Sequence, residues 1–201
     1  MDLATKRALE AIIMKVDPIR NPKDIKKIKK LLESTNRLRD LAWFTVGLNS
    51  GLRTQDLLGL RVGQVDGVAV GERVTITEKK TGKLNVLIVN KPIRAVLDKY
   101  LATRPDRTPD EFLFLSRKYV NEPRSVSTVH HYMRAICAQI GLKGNFGSYT
   151  LRKTWCYQMR VQYGVPWEKL SARMAHSSPS VTRRYLGIAS EEVESVLMNE
   201  V

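Results

Sequence analysis

Cysteine is nearly missing from this chain: two thiols in 201 residues, Cys137 and Cys156. Both lie in helical, partly apolar sequence, which suits reduced packing positions, and two are too few for a metal site. Long apolar runs are missing as well, so no helix is expected to cross a bilayer, which takes about 18 or more such residues. The opening MDLATKRALEAIIMKV has no apolar block followed by a small-residue cleavage site, so no secretory signal is read. Histidine is scarce, and His130 and His131 are adjacent. On a helix, neighbours point about 100° apart, so these two cannot chelate one metal well; they read as surface or phosphate-contacting residues. Acid is also in short supply, with 20 Asp and Glu against 34 Lys and Arg, a net charge of +14. That excess points to a polyanionic partner, nucleic acid or an anionic membrane surface. Without a signal or span, nucleic acid inside a reducing, cytoplasmic compartment is the default expectation.

Hydrophobic residues make up 43% of the chain, enough for one domain with a proper core. Residues 1–16 carry a helical apolar pattern that Pro18 and Pro22 interrupt. A second helix follows Pro22, with Ile25, Ile28, Leu31 and Leu32 on one face and Lys26, Lys27, Lys29 and Lys30 between them. Those lysines are either a solvated face or a phosphate-contacting one. Residues 37–49 read as a buried helix with Gly51 as its C-cap, after which Thr54 is expected to cap residues 55–60. From 65 to 89 the apolar period falls to two, with Val74 and Ile76, then Leu84, Val86 and Ile88. This predicts a small antiparallel sheet with a hairpin tip at residues 79–83. Further helices are expected after Pro92 and over 126–141, 150–163, 167–174 and 191–198, the last capped by Ser190. No internal repeat or low-complexity segment is present.

Four stretches carry chemistry: SGLRTQDLL (50–58), KKTGK (79–83), YTLRK (149–153) and AHSSPSVTRRY (175–185). They bring together arginine, lysine, histidine and tyrosine side chains, Arg53, Arg152, His176 and Tyr185 among them. Attack at a phosphodiester builds negative charge on the non-bridging oxygens, which planar, always-charged guanidiniums are suited to hold. In this order and spacing the stretches resemble the catalytic domain of the tyrosine recombinases, the phage integrase family, over roughly residues 18–185. The resemblance implies a mainly α fold with a small three-stranded antiparallel sheet. It also implies a division into an N-terminal helix or linker (1–17) and a catalytic domain (18–201).

By that resemblance Arg53 and Arg152 are the catalytic arginines, and Asp56 supports Arg53. Lys80 is the hairpin general acid, with Lys79 and Lys83 as rival alignments. His176 stands where the family has His or Trp, and Tyr185 is the nucleophile. The chain departs from the pattern at Tyr149, where His is usual, at Lys153, where a second His is common, and at Ala175, where Gly is frequent. A phenol of ordinary pKa, about 10, donates hydrogen bonds but is a poor base at neutral pH. Hence either His176 does more, or the arginines lower the nucleophile's pKa. Lys79, Lys83, Lys153, Arg183 and Arg184 are candidate DNA contacts. A tyrosine nucleophile stores the bond energy as a phosphotyrosine, so no cofactor and no metal are expected. The implied partner is double-stranded DNA, with self-association as a tetramer on it and no membrane.

The tail helix would pack on a neighbouring protomer or on its own domain. Only about 17 residues precede the match, where most of the family carries an N-terminal clamp domain, so the chain reads either as a naturally short recombinase or as a piece of a longer one used without its clamp. Duplex binding should then be weak and strongly salt-dependent. Two other functions fit parts of the pattern: a type IB topoisomerase-like relaxer, and a non-catalytic regulator using residues 167–185 as a helix-turn-helix. The second leaves Arg53, Lys80 and Tyr185 unexplained.

Overall fold

Asn21 and Pro22 start the first helix: the Asn21 side chain accepts from Lys23 N–H, and Pro22 fills a position that needs no N–H partner. The structure, a computed structural model, describes residues 16–118 and 120–188. The expected helices over 1–16 and 191–198 therefore lie, apart from Val16, outside the described residues. Helix α1 (Pro22–Ser34) buries Ile28 and Leu32 against α2 (Leu38–Ser50), whose middle is buried on all sides. Helix α2 is the centre of the domain and packs against α1, α4 and α6. Gly47 allows this: a Cβ there would sit 2.6 Å from a Leu151 methyl on α6.

After α2 come a short α3 (Thr54–Leu58) and a 3-10 turn (Val62–Gln64). Strands β1 (Arg73–Thr77) and β2 (Leu84–Ile88) then pair antiparallel, with Val74 opposite Leu87 and Ile76 opposite Asn85. Among the described residues the sheet has two strands, not the three expected. Residues 65–71 turn rather than extend, because Gly67 and Gly71 take positive φ of 72° and 96°. The single bridges Arg61–Phe112 and Leu115–Pro123 add no strand. The facing of β2 follows its register with β1. Leu87 points to the core, while Leu84 is 75% exposed and Ile88 is exposed too. Asn85 shares the inner face, where its amide reaches the Glu78 carboxylate at 2.7 Å.

Helix α4 (Lys91–Leu101), capped by Asn90, lies along α2. Helices α5 (Val126–Gln139), α6 (Thr150–Tyr163), α7 (Trp167–Met174) and α8 (Pro179–Leu186) follow. The core falls into two clusters. The larger runs from Ile19 through α2, the sheet and α5 to Leu151. The smaller joins Cys156 and Tyr157 to Trp167, Leu170, Met174, Tyr185, Leu186 and Ile188. Helix α6 contributes to both, so its first turns form the seam. Both cysteines are free and buried, and burial pushes each thiol up to about 12.

The stretch read as a leading linker is docked at its end. Asp17 N–H donates to Asn145 C=O at 2.7 Å, and Ile19 N–H to Thr154 Oγ1 at 2.8 Å. Val16 and Ile19 are buried. No helix among the described residues is long and apolar enough to cross a membrane.

Candidate active site

Gly51 ends α2 in the left-handed conformation, φ 62°. A side chain there would also strike the Trp155 ring, at 2.6 Å from a Cβ, so both backbone angle and space call for glycine. Two residues later Arg53 is the N-cap of α3, in an extended conformation with no side-chain cap. Thr54 is thus not the cap that the sequence suggested. It occupies the first turn, and its hydroxyl donates to Ser148 C=O at 2.5 Å. That bond clips the first arginine stretch to the segment leading into α6.

The Arg53 guanidinium pairs with the Glu78 carboxylate at the base of the hairpin. Glu78 also accepts from Thr81 Oγ1 at 2.6 Å and Asn85 Nδ2 at 2.7 Å. Burial alone would raise its pKa, but the Thr81, Asn85 and Arg53 contacts together hold it below the ordinary carboxylate value. Asp56, expected to support Arg53 directly, instead accepts from the Lys79 backbone N–H at 2.9 Å. Its buried carboxylate anchors the hairpin, and Glu78 is the acid that meets Arg53.

Arg152 lies in the first turn of α6, at the seam, and is 5% exposed. One end of its guanidinium donates to Gly51 C=O and the other to Met174 C=O at 2.8 Å. It thereby ties the end of α2 to the end of α7. Arg173 makes a parallel brace, donating to Asn85 Oδ1 and to Ser50 C=O.

His176 follows Ala175, which closes α7 with φ 51°. His176 N–H donates to Ser171 C=O at 3.0 Å. Its ring Nδ1 lies 2.9 Å from Thr182 Oγ1, and the ring meets the Tyr185 ring edge-on, centroids 5.0 Å apart. Burial, then the charges of Arg152 and Arg53, pull the imidazole pKa down to about 4, so it is neutral at pH 7.

Tyr185 is 6% exposed, and its hydroxyl has no hydrogen-bond partner among the described residues. Burial pushes its pKa up; the Arg152 and Arg53 charges pull against that. Tyr149 feels the same balance: burial raises its pKa and both arginines oppose. Arg53, Arg152, Tyr149, His176 and Tyr185 therefore share one electrostatic neighbourhood.

The lysines divide. Lys80 is exposed at the hairpin tip, as is Lys83. Lys79 bends back over α3, where a Cβ on Gly59 would lie 3.0 Å from its Cε. Lys153, expected at the DNA surface, is corrected by burial: it is 2% exposed, with its ammonium 4.7 Å from the Tyr185 ring centroid. Burial, opposed by Asp17, lowers its pKa to about 8. Arg183 rests over the Trp167 ring at 5.5 Å, and Arg184 is exposed. Among the described residues no group of three His, Cys, Asp or Glu side chains could hold a metal ion.

The family model described as "Phage integrase family" matches residues 21–192. This chain belongs to the phage integrase family. Among curated relatives it is 33% identical over 173 residues to "Probable integrase/recombinase YoeC" of Bacillus subtilis (strain 168), covering 86% of this chain and 90% of that protein. It is 22% identical over 198 residues to "Tyrosine recombinase XerA" of Pyrococcus horikoshii, covering 94% and 67%. Against solved structures, it matches the crystal structure of XerA recombinase with TM-score 0.71 at 19% identity, over 92% of this chain and 66% of that one. The post-cleavage complex of XerH with palindromic difH substrate matches with TM-score 0.70 at 16% identity, over 88% and 51%. These structural likenesses concern the fold. The chain spans about half the length of the XerH chain and of a XerC relative from Caldanaerobacter subterraneus, 49% of the latter.

Within this integrase fold several residues escaped the sequence reading. Glu78, Asn85 and Arg173 build the support of Arg53, and Glu78 could have been noticed only as the acid preceding KKTGK. His130, read as a surface or phosphate-contacting residue, accepts from Ser148 N–H at 3.3 Å. It packs under Gly147, where a Cβ would come within 2.4 Å of its ring. His130 thus shapes the loop that carries Tyr149 and Arg152.

Proposed function

We propose that this chain cuts and rejoins DNA strands, with Tyr185 as the nucleophile and a 3′-phosphotyrosine as the intermediate. The carrying observation is a buried phenol with an unpartnered hydroxyl in the field of two guanidiniums, Arg53 and Arg152. A buried hydroxyl without a partner costs about 1–3 kcal/mol, a defect that an incoming phosphate would relieve.

In the proposed step Tyr185 Oη bonds to phosphorus as the P–O5′ bond breaks. The phenol proton passes to a phosphate oxygen or to water, and Lys80 protonates the departing O5′. Such proton transfer is worth roughly 10²–10⁴-fold. Arg152, pinned by two carbonyls, and Arg53, released from Glu78, stabilise the charge on the non-bridging oxygens. Attack by an incoming 5′-hydroxyl reverses the chemistry and frees Tyr185.

Duplex DNA as partner is supported by the +14 charge. Exposed Lys83 and Arg184, with Lys79 and Arg183, are proposed backbone contacts. Exchange between two duplexes cleaves four strands, one nucleophile for each, which supports a tetramer on DNA. The same proposal keeps residues 18–201 as the catalytic unit and 1–17 as a leading segment.

A strand-joining assay tests this reading. Wild-type protein and Tyr185→Phe are incubated with a pool of nicked duplexes of randomised sequence and a 5′-hydroxyl acceptor strand. New joints should form with wild type alone; equal joint frequencies in both would end the proposal.

A further inference from the structure

Thr182 is fully buried on α8 between two polar neighbours. Its Oγ1 lies 2.8 Å from Ser171 Oγ on α7 and 2.9 Å from His176 Nδ1. Ser171 is buried as well. Three protons, on two hydroxyls and one neutral imidazole, must be shared over these contacts.

Only one arrangement uses both hydroxyl protons. Ser171 Oγ has no other side-chain partner among the described residues, so its proton goes to Thr182 Oγ1. Thr182 then donates its own proton to His176 Nδ1. The opposite order would have His176 Nδ1–H donate to Thr182, and Thr182 donate to Ser171. That leaves the Ser171 proton buried with nothing to receive it, which disfavours the order by on the order of tenfold or more. A ring nitrogen that accepts at Nδ1 carries its proton at Nε2.

We propose that Ser171 and Thr182 form a hydroxyl relay that locks His176 in the Nε2–H tautomer. Thr182 is thus a positioning residue, acting through His176. The consequence rests on the phosphodiester reading of the site: His176 presents a third hydrogen-bond donor beside Arg53 and Arg152. Its Nδ1 is already occupied and its Nε2 is protonated, so it does not take the Tyr185 proton. This resolves the role of the imidazole in a chain that has Tyr149 where a histidine is usual.

The experiment is long-range ¹H–¹⁵N correlation spectroscopy of the labelled full chain at pH 7, without DNA. The chain has three histidines, and a His176→Asn variant assigns the signal in question. The expected wild-type spectrum shows Nε2 as the protonated, pyrrole-like nitrogen and Nδ1 as the acceptor. Thr182→Val, which keeps shape and removes the hydroxyl, should move the Nδ1 resonance from a hydrogen-bonded to a free acceptor and let the Nδ1–H form appear, and Thr182→Ser should restore the wild-type signal. A wild-type spectrum with Nδ1 protonated overturns the relay, even if Thr182→Val does not fold. So does a Thr182→Val spectrum identical to wild type. DNA cleavage forms the second arm: Thr182→Val should slow adduct formation roughly 10–100-fold, as loss of an orienting partner typically does, while Thr182→Ser keeps it. Failure of the phosphodiester reading would appear as no adduct with wild-type protein. The tautomer spectrum would still decide the relay.

Discussion

Glu78→Gln separates the two jobs of Arg53. In the folded protein Arg53 and Glu78 are about 20% and 6% exposed at their side chains, so their pairing is largely shielded. Removing one partner of a fully buried pair costs about 3–5 kcal/mol, and exposed pairs are worth about 0–1 kcal/mol. This pair falls between, so Glu78→Gln should lower stability by about 1–3 kcal/mol at pH 7. Its amide oxygen in the Oε1 place can still receive the Asn85 bond, and its NH2 in the Oε2 place can donate to the Thr81 hydroxyl, which keeps the hairpin in place. The loss must depend on pH in one direction. The folded pKa of Glu78 is depressed, so its stabilisation is complete above the unfolded value of about 4.3. It fades as pH falls through the lower folded value, where the wild-type carboxylate takes up its proton. Urea melts of both proteins at pH 7 and over an acid series measure the difference. Curves that differ by about 1–3 kcal/mol at neutral pH and converge in acid are expected. DNA binding should move the other way: Arg53 no longer has to leave an ion pair before it meets phosphate, so affinity at fixed salt rises. A stability difference independent of pH, or DNA affinity no higher than wild type, would refute the reading that Arg53 is held by Glu78 until phosphate releases it.

Other outcomes follow from single contacts. Tyr185→Phe should fold and melt no lower than wild type, gaining up to about 1 kcal/mol from loss of the orphan hydroxyl, as a thermal melt would show. Ala175→Gly relieves a left-handed φ of 51° and should add about 1 kcal/mol, read from the urea midpoint. Arg152→Lys cannot reach both Gly51 and Met174 carbonyls, so stability should fall by about 1.5–3 kcal/mol and adduct formation be lost. Lys80→Ala should slow cleavage by roughly 10²–10⁴-fold on ordinary DNA, and far less when O5′ is sulfur, which leaves without a proton.

The sequence exposes what is local. Pro22 and Pro92 mark helix starts because proline suits the first turn, and both lie there as expected, just after the capping residues Asn21 and Asn90. The stretches around Arg53, Lys80, Arg152, His176 and Tyr185 stand out because each is short and chemically dense. What the sequence hides is long-range. Glu78 and Arg53 are 25 positions apart, and Arg173 reaches Asn85 across 88. No periodicity announces such pairs. Thr54 looked like a cap because its type suits one, yet a partner 94 residues away claims its hydroxyl. The facing of β2 is hidden for a related reason. Leu84, Val86 and Ile88 alternate as an inward face would, but register with β1 puts Leu87 and Asn85 inside. Lys153 looked like a surface cation, and only the packing of α8 on α6 buries it against Tyr185.

The account stands on Tyr185 as the group that bonds to phosphorus. Wild-type protein trapped on nicked duplexes can be digested and the nucleotide-bearing peptide sequenced by mass spectrometry. The expected result is one modified peptide, with a 3′-phosphate nucleotide on Tyr185. A nucleotide on Tyr149 or any other residue, or an adduct that persists in Tyr185→Phe, would contradict it.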